Sequence, residues 1–537
     1  MYYNKYLKYK NKYLNYINKI HGGTINNTSI EFENYTNEQN PTINIYNFTI
    51  LNNINPDDNS INLNINLDKN SEGSFNFNKT NKKLFSIYDD LSINESNIKN
   101  YENQKVSKDY LNIKYSKIYK LNPKISAQHI NSDIINYNNE EKKEFINNLI
   151  AVIKIQEKLL GSFLKKNNSL IDKYCDNYGF IHKITINSND KVIIFGDYHG
   201  SFHTFFRNMI RLHLAKVLNL DSLEIYDNYK IIFLGDIVDR GAYSLEILNL
   251  IFLLMIKNEN SIFINRGNHE VSDIYSKYGF TNEIRVKCDD NDDYLNNIHH
   301  FFNLCSTAII LIDLSNDVKY WLCHGCIPCN NDDVDEQIFN FISKKNNEEF
   351  LLLEQSIPEL EYLKVRIPGV VTQIRWNDAS IDKKGITVID ENPIYNNIRG
   401  SFIVNERQFK KYLNKFDFII RAHQDSYFNA WLLGNEKSFQ IGKQIYNSDT
   451  NIISNVLTPQ YKDGPILRIN INDTDWLTKN NYLKVLTIST NTGYGRNLYN
   501  DSFIVISTNN NTINNVQESN LQSNELNWII EKNWKLN

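Results

Sequence analysis

Three short apolar runs mark the middle of the chain: Val192-Ile193-Ile194-Phe195, Ile231-Ile232-Phe233-Leu234 and Ile262-Phe263-Ile264. Each is rich in β-branched and aromatic residues and is bounded by Gly or Asn, a pattern that predicts fully buried strands. Val318-Lys319-Tyr320-Trp321-Leu322-Cys323 and Phe416-Asp417-Phe418-Ile419-Ile420 predict two more strands downstream. A helical period governs Glu140 to Leu164, where Phe145, Leu149, Val152, Ile155, Leu159 and Phe163 recur at three- and four-residue steps. Gly161 is a weak helix former on its last turn. The longest apolar stretch, Leu250 to Ile256, is far too short to span a bilayer and reads as part of a helix.

The ends of the chain differ in kind. Tyr2, Tyr6, Tyr9, Tyr13, Tyr16 and Ile20 form an aromatic stripe among lysines and asparagines, predicting an amphipathic helix over 1–23 that Gly22-Gly23 ends. Such a helix suits a partner or a membrane surface as well as it suits a plain terminal helix. The stretch 24–110 is rich in Asn, Ser, Asp and Thr, buries little surface per residue and is expected to be largely disordered. A helical region over 111–179 is expected to pack on a core domain over 180–510. A tail over 511–537 carries a short helix built on Leu526, Trp528, Ile529, Ile530 and Trp534.

Composition narrows the setting. A net charge of −4 from 58 basic and 62 acidic residues gives no electrostatic case for nucleic-acid binding. Six cysteines in 537 residues suit a reducing compartment rather than a disulfide scaffold. With no apolar signal segment at the N-terminus, the expected location is intracellular, not secreted. The spacing Cys323-His324-Gly325-Cys326-Ile327-Pro328-Cys329 suggests a zinc or iron-sulfur cluster, against which Cys323 is most simply a small buried hydrophobe.

The chemistry lies where the three central runs end. They lead into Gly196-Asp197-Tyr198-His199-Gly200, Gly235-Asp236-Ile237-Val238-Asp239-Arg240-Gly241 and Arg266-Gly267-Asn268-His269-Glu270. Loops at strand C-terminal edges are where open α/β sheets bind ligands. Carboxylate, imidazole and amide oxygen donors suit Mn, Fe or Zn. An aspartate of the second loop can bridge two ions, with Asp197 and His199 on one and Asn268 on the other. Such a pair of cations lowers the pKa of a shared water. Arg240 is placed to fork onto phosphate oxygens, and His269, with Asp239 as carboxylate partner, is a candidate general acid. The second ion still lacks imidazoles, and His324 and His423 follow the two downstream strands as the upstream ligands follow theirs.

These blocks resemble the phosphoprotein phosphatase family of calcineurin-like metallophosphoesterases. The family's order GDxHG, GDxVDRG, RGNHE, HGG, WSDP, RG and RAHQ is followed by Gly196 to Gly200, Gly235 to Gly241, Arg266 to Glu270, His324-Gly325, Trp376-Asn377-Asp378, Arg399-Gly400 and Arg421 to Gln424. Ser201, Cys326 and Ala379 depart from that pattern, and the terminal block, Ser489 to Gly495, matches only if Tyr494 is shifted by one position. The resemblance implies a mixed α/β sandwich flanked by helices. Asp197, His199 and Asp236 would bind one metal, and Asp236, Asn268, His324 and His423 the other. Arg240 and Arg399 would grip phosphate, with His269 as proton donor supported by Asp239. The implied activity is serine/threonine phosphoprotein hydrolysis by direct attack of a dimetal-bound hydroxide, the cofactors being two divalent ions.

Rival readings are a phosphoesterase acting on nucleotides such as diadenosine polyphosphates, and a non-catalytic virion binding protein. Lys5 to Leu14, KYLKYKNKYL, resembles a leader on many giant DNA virus proteins, so a regulatory or virion partner of the N-terminal helix enters the expectation, as do host cytoplasm and virion as locations. An insertion between His423 and Ser489 carries no identifiable chemistry.

Overall fold

The computed structural model describes residues 125–130, 137–167, 178–214, 217–220, 222–288, 292–329, 331–343, 348–354, 359–360, 365–366, 368–379, 393–396, 398–424, 428–434, 439–447, 482–488, 490 and 503–508, together with strands 42–46, 51–53, 62–64, 452–456 and 466–470. Two large sheets organise them. In the first, the strands run in the order 466–470, 42–46, 503–507, 191–195, 229–233, 262–264. The three apolar runs are its parallel neighbours, with Ile193 opposite Ile231 and Ile232 opposite Phe263. Parallel neighbours need crossovers. Helices Phe202–Leu214 and Ser244–Lys257 supply them, and all three loops therefore leave the same sheet edge.

The second sheet runs 350–354, 178–186, 308–313, 318–323, 418–421, 482–488, 428–434, 439–447, 452–456. Val318–Cys323 and Phe418–Arg421 are parallel, Cys323 opposite Arg421, so His324 and His423 also emerge together. The downstream strand starts two residues later than its apolar run suggests. Asp417 is drawn out of the pattern because its carboxylate accepts the Lys319 amide at 2.8 Å, which starts the pairing with Val318–Cys323.

Alternation along the strands explains the layering. Ile193, Phe195, Ile231 and Phe233 pack with Leu248, Phe252 and Phe301 of covering helices, while Val192, Ile194 and Ile232 on the opposite face are equally buried. Across that inner face His182 of the second sheet meets Phe263 of the first, ring centroids 5.5 Å apart. Trp321, Ile419 and Val485 pack outward with Ile338 and Phe409 of helices Asp332–Ser343 and Glu406–Leu413. The architecture is mixed α/β, helices outside and two sheets within.

The predicted helix spans Asn139–Asn167, with non-helical geometry at Gly161. Asn138 Oδ1 accepts the Glu140 and Glu141 amides at 2.9 Å, and Glu141 Oε2 accepts the Asn138 amide at 3.0 Å, a reciprocal cap. Its buried stripe begins as expected with Phe145, Leu149 and Val152, then follows Ile153, Gln156 and Leu160 and leaves Ile155 and Leu159 half-buried. Leu250 to Ile256 lies inside Ser244–Lys257. Among the described residues no helix is long and apolar enough to cross a membrane.

Within 24–110, where disorder is expected, Thr42–Tyr46 is a strand paired antiparallel to both Phe503–Ser507 and Ile466–Asn470. Its Ile43 and Ile45 alternate with polar residues, a local period that regional composition hides. The insertion after His423 builds strands Phe428–Gly434, Phe439–Asn447 and Ile452–Val456, which widen the second sheet. The N-terminal helix, the tail after 508 and Tyr494 lie outside the described residues.

Candidate metal centre

Asp236 is the hub. Its carboxylate Oδ2 lies 3.4 Å from His199 Nε2, 3.1 Å from His324 Nε2 and 3.9 Å from His269 Nε2, while Oδ1 accepts the His269 amide at 2.9 Å. Two groups of potential ligand atoms share it, His199-Asp236-His269 and Asp236-His324-His423, all buried. Asn268 Oδ1 stands 2.8 Å from both His324 Nε2 and His423 Nδ1. The six residues expected to hold metals are thus in one place. Asp197 stands slightly apart: its Oδ2 is 3.9 Å from His199 Nε2, and its Oδ1 accepts the His423 amide at 3.1 Å. His269, expected as a proton donor, also lies close enough to fall in the first group. Its Nδ1 is held by Asp239 Oδ2 at 2.7 Å, which aims Nε2 at Asp236.

The loops reach this geometry through unusual backbone. His199, Asp236, Asp239, Arg240 and His423 all have positive φ, between 46° and 73°, a region that side chains with a Cβ adopt at a cost. Gly235, at φ 105°, brackets the hub, and a Cβ there would sit 2.4 Å from the Gly267 nitrogen, so second and third loops approach as only glycine permits.

The donor set fits a pair of divalent cations. His199 Nδ1 faces the Val238 carbonyl at 3.0 Å, which assigns the proton to Nδ1 and leaves Nε2 an acceptor directed at a carboxylate. Burial pushes the Asp236 carboxyl up, but His324, His269 and His199 outweigh it and hold it well below the usual carboxylate range. Burial, reinforced by the Arg399 guanidinium and His324, holds His423 well below the ordinary imidazole value, so the ring is neutral. Arg399 Nη2, a donor only, stands 2.7 Å from His423 Nε2, so Nε2 accepts and Nδ1 carries the proton that Asn268 Oδ1 accepts at 2.8 Å. Were Arg399 to turn to another acceptor, the proton would pass to Nε2, facing Asp378 Oδ1, a buried carboxylate oxygen without a hydrogen-bond partner 3.6 Å away, and leave Nδ1 bare toward the hub. Carboxylate, imidazole and amide oxygen converging in a dry site is a borderline-metal donor set.

Residues 190–427 match the family model described as calcineurin-like phosphoesterase. Among curated relatives, the chain is 28% identical over 200 residues to serine/threonine-protein phosphatase T of Schizosaccharomyces pombe, covering 36% of each chain. It is 39% identical over 102 residues to the serine/threonine-protein phosphatase 6 catalytic subunit of Caenorhabditis elegans, covering 18% of this chain and 26% of that one. The chain therefore spans little more than a third of the length of these relatives at most. A solved protein serine/threonine phosphatase from Saccharomyces cerevisiae overlaps 58% of this chain and 82% of its own at 18% identity, with a TM-score of 0.34, too low to carry an argument.

Within the matched residues, Arg399 sits on the tip between Ile394–Asn396 and Ser401–Val404. Its Nη2 is 2.7 Å from His423 Nε2 and its Nη1 pairs with Asp378 Oδ2 at 3.0 Å. Arg240 is half-buried on the second loop, its amide donating to the Tyr278 carbonyl at 3.2 Å.

Three residues carry more than their motifs suggested. Glu270 is a backbone clamp: Oε2 accepts the Asp236 and Gly267 amides at 2.8 Å and Oε1 accepts the Ile237 amide at 2.7 Å. Asp378 orients Arg399. Arg421, wholly buried, donates to the carbonyls of Gly325 and Asn377 and to Thr487 Oγ1, stitching three loops. Their signal was present in the RGNHE, WSDP-like and RAHQ blocks, but a supporting role has no spacing of its own to read.

The cysteine cluster resolves plainly. Cys323, Cys326 and Cys329 are free and fully buried, and burial pushes the Cys326 thiol up to about 11. They pack as small apolar residues around Trp321.

Proposed function

We propose that the protein is a metal-dependent serine/threonine phosphatase that hydrolyses phosphomonoesters on proteins, with water as the nucleophile and no covalent enzyme intermediate. The observation that carries this reading is the sharing of Asp236 between two buried ligand groups. Asp236, His199 and Asp197 surround one position, and Asp236, Asn268, His324 and His423 surround the other, with His269 left free to carry a proton. Two divalent ions held there, of the Mn, Fe or Zn type, would polarise a phosphoryl oxygen and acidify the attacking water.

The chain's own groups do the rest. Arg399, braced by Asp378, presents its fork beside His423, where a phosphate oxygen would take over the bond now made to imidazole. Arg240 approaches from the second loop as a further cation. His269 is oriented by Asp239, so a proton on Nε2 points into the site for the departing serine or threonine oxygen. Fixed charges of this kind stabilise the transferring phosphoryl without rearranging during the reaction.

The test is turnover of a phosphopeptide by Asp236→Asn, with bound metal counted by elemental analysis of the same sample. The expected outcome is a folded protein with less than about a thousandth of wild-type kcat and less metal. Unchanged kcat would refute the assignment. Phosphopeptide and diadenosine polyphosphate assayed side by side separate a protein phosphatase from a nucleotide hydrolase.

A further inference from the structure

A buried ionic cluster lies outside the metal centre, and the reaction above makes no use of it. Lys287 Nζ donates to Glu246 Oε2 at 2.6 Å, to Glu283 Oε1 at 2.9 Å and to the Ala242 carbonyl at 2.6 Å. All three charged side chains are fully buried, and Glu246 Oε1 and Glu283 Oε2 have no hydrogen-bond partner. A cation facing two carboxylates in a dry interior is a poor source of stability compared with apolar packing, so stability alone does not account for it.

Its neighbours supply one. Phe280, Glu283 and Lys287 lie on one face of helix Phe280–Cys288, at steps of three and four residues. Each grips the segment that follows the hub. The Phe280 amide donates to Asp239 Oδ1 at 3.0 Å, Glu283 Oε1 accepts the Leu245 amide at 2.9 Å, and Lys287 holds the Ala242 carbonyl. Asp239 and Arg240 sit inside this grip with positive φ, 73° and 67°. On the far side Ser126 bridges Gly241, the Ala127 amide donates to the Arg240 carbonyl at 3.0 Å, and Asn282 of the same helix holds the Ala127 carbonyl at 2.8 Å. A strained loop clamped from two sides cannot relax.

We infer that helix Phe280–Cys288 is a splint for the segment Asp239–Leu245, with Lys287 as the positioning residue that sets Arg240 against phosphate and Asp239 against His269. The inference rests on the phosphatase reading for its effect on turnover but not for the splint itself. Burial works against a charged Lys287, yet Glu246 and Glu283 outweigh it and hold its pKa above the ordinary value, while burial and the Glu246 charge push Glu283 up; the three short bonds from Nζ, which hold in either charge state, carry the grip.

Full-length wild type, Lys287→Met, Lys287→Arg, Arg240→Ala and Arg240→Ala/Lys287→Met would be compared on p-nitrophenyl phosphate with Mn, with folding checked by circular dichroism. Lys287→Met is expected to lose about tenfold or more in kcat/KM, and Lys287→Arg to recover most of it. Because Lys287 acts largely through Arg240 and otherwise through Asp239, the double variant should lose clearly less than the product of the two single losses. Losses that multiply, or a folded Lys287→Met with wild-type kcat/KM, overturn the positioning role. Where Lys287→Met does not fold, Glu283→Gln takes its place in the same cycle, with the same two outcomes. Hydrogen exchange gives a readout free of turnover: amides of 239–245 should exchange at least about tenfold faster in the variant while those of 262–264 do not. Equal exchange sinks the splint. A wild type inert toward phosphate esters sinks the phosphatase reading instead and leaves exchange to decide the splint.

Discussion

His423 shows how one side chain is prepared by several others. Its backbone takes φ 71°, its amide is tied to Asp197, its Nδ1 faces Asn268 and its Nε2 lies between Arg399 and Asp378. Burial and the nearby cations keep the ring neutral, which is the form that ligates a metal. Asp378 is the residue whose role is easiest to test, since it touches Arg399 with one oxygen and faces His423 with the other. Asp378→Asn keeps the shape but removes the charge that aims the guanidinium. We expect KM for a phosphopeptide to rise about tenfold with a smaller change in kcat, in line with the loss of one charge-assisted pair. Steady-state kinetics would show this, and an unchanged KM would mean that Arg399 needs no brace.

At the scale of elements, the five strands that end in site residues were legible because burial on both faces leaves an apolar run in the sequence, continuous in the three central strands and broken once, at Lys319 and Asp417, in the two downstream runs. The helix Asn139–Asn167 was legible from its period, yet its core face drifts toward Ile153, Gln156 and Leu160 because the helices it packs on, Ser244–Lys257 and Asp292–Asn303, are distant in sequence. Its start is set locally by the reciprocal bonds of Asn138 and Glu141. Asn138→Ala should therefore cost about 1 kcal/mol, the usual value of such a cap. Urea unfolding measured with matched slopes would reveal it, and a midpoint equal to wild type would show that packing alone holds that turn. Thr42–Tyr46 was not legible, because two alternating isoleucines in an Asn-rich stretch become a strand only when Phe503–Ser507 and Ile466–Asn470 offer edges on either side.

The whole molecule depends on two sheets meeting face to face, and His182 sits in that seam between Phe263 and Phe350. Burial lowers its pKa to about 3. The unfolded chain would take up a proton near pH 6.5 while the folded chain would not, so stability is complete above that value and falls as pH drops from about 6.5 toward 3, by about 1.4 kcal/mol per unit. His182→Phe removes the proton site and keeps the ring. The difference in unfolding free energy between variant and wild type should widen in the variant's favour from pH 7 to pH 5. A constant difference across that range would show that His182 does not titrate on unfolding.

What the chain determined by itself was the identity and order of the candidate ligands, because each follows a run of largely apolar residues whose strand ends where the polar motif begins. Local sequence encodes that alternation of burial and chemistry. What only the tertiary structure decided was which candidate ligands come close to one another around Asp236, and which buried side chains, Glu270, Asp378 and Lys287 among them, hydrogen-bond the loops. Those facts depend on distances between residues far apart along the chain. Parallel pairing and face-to-face packing set such distances, and no local pattern carries them.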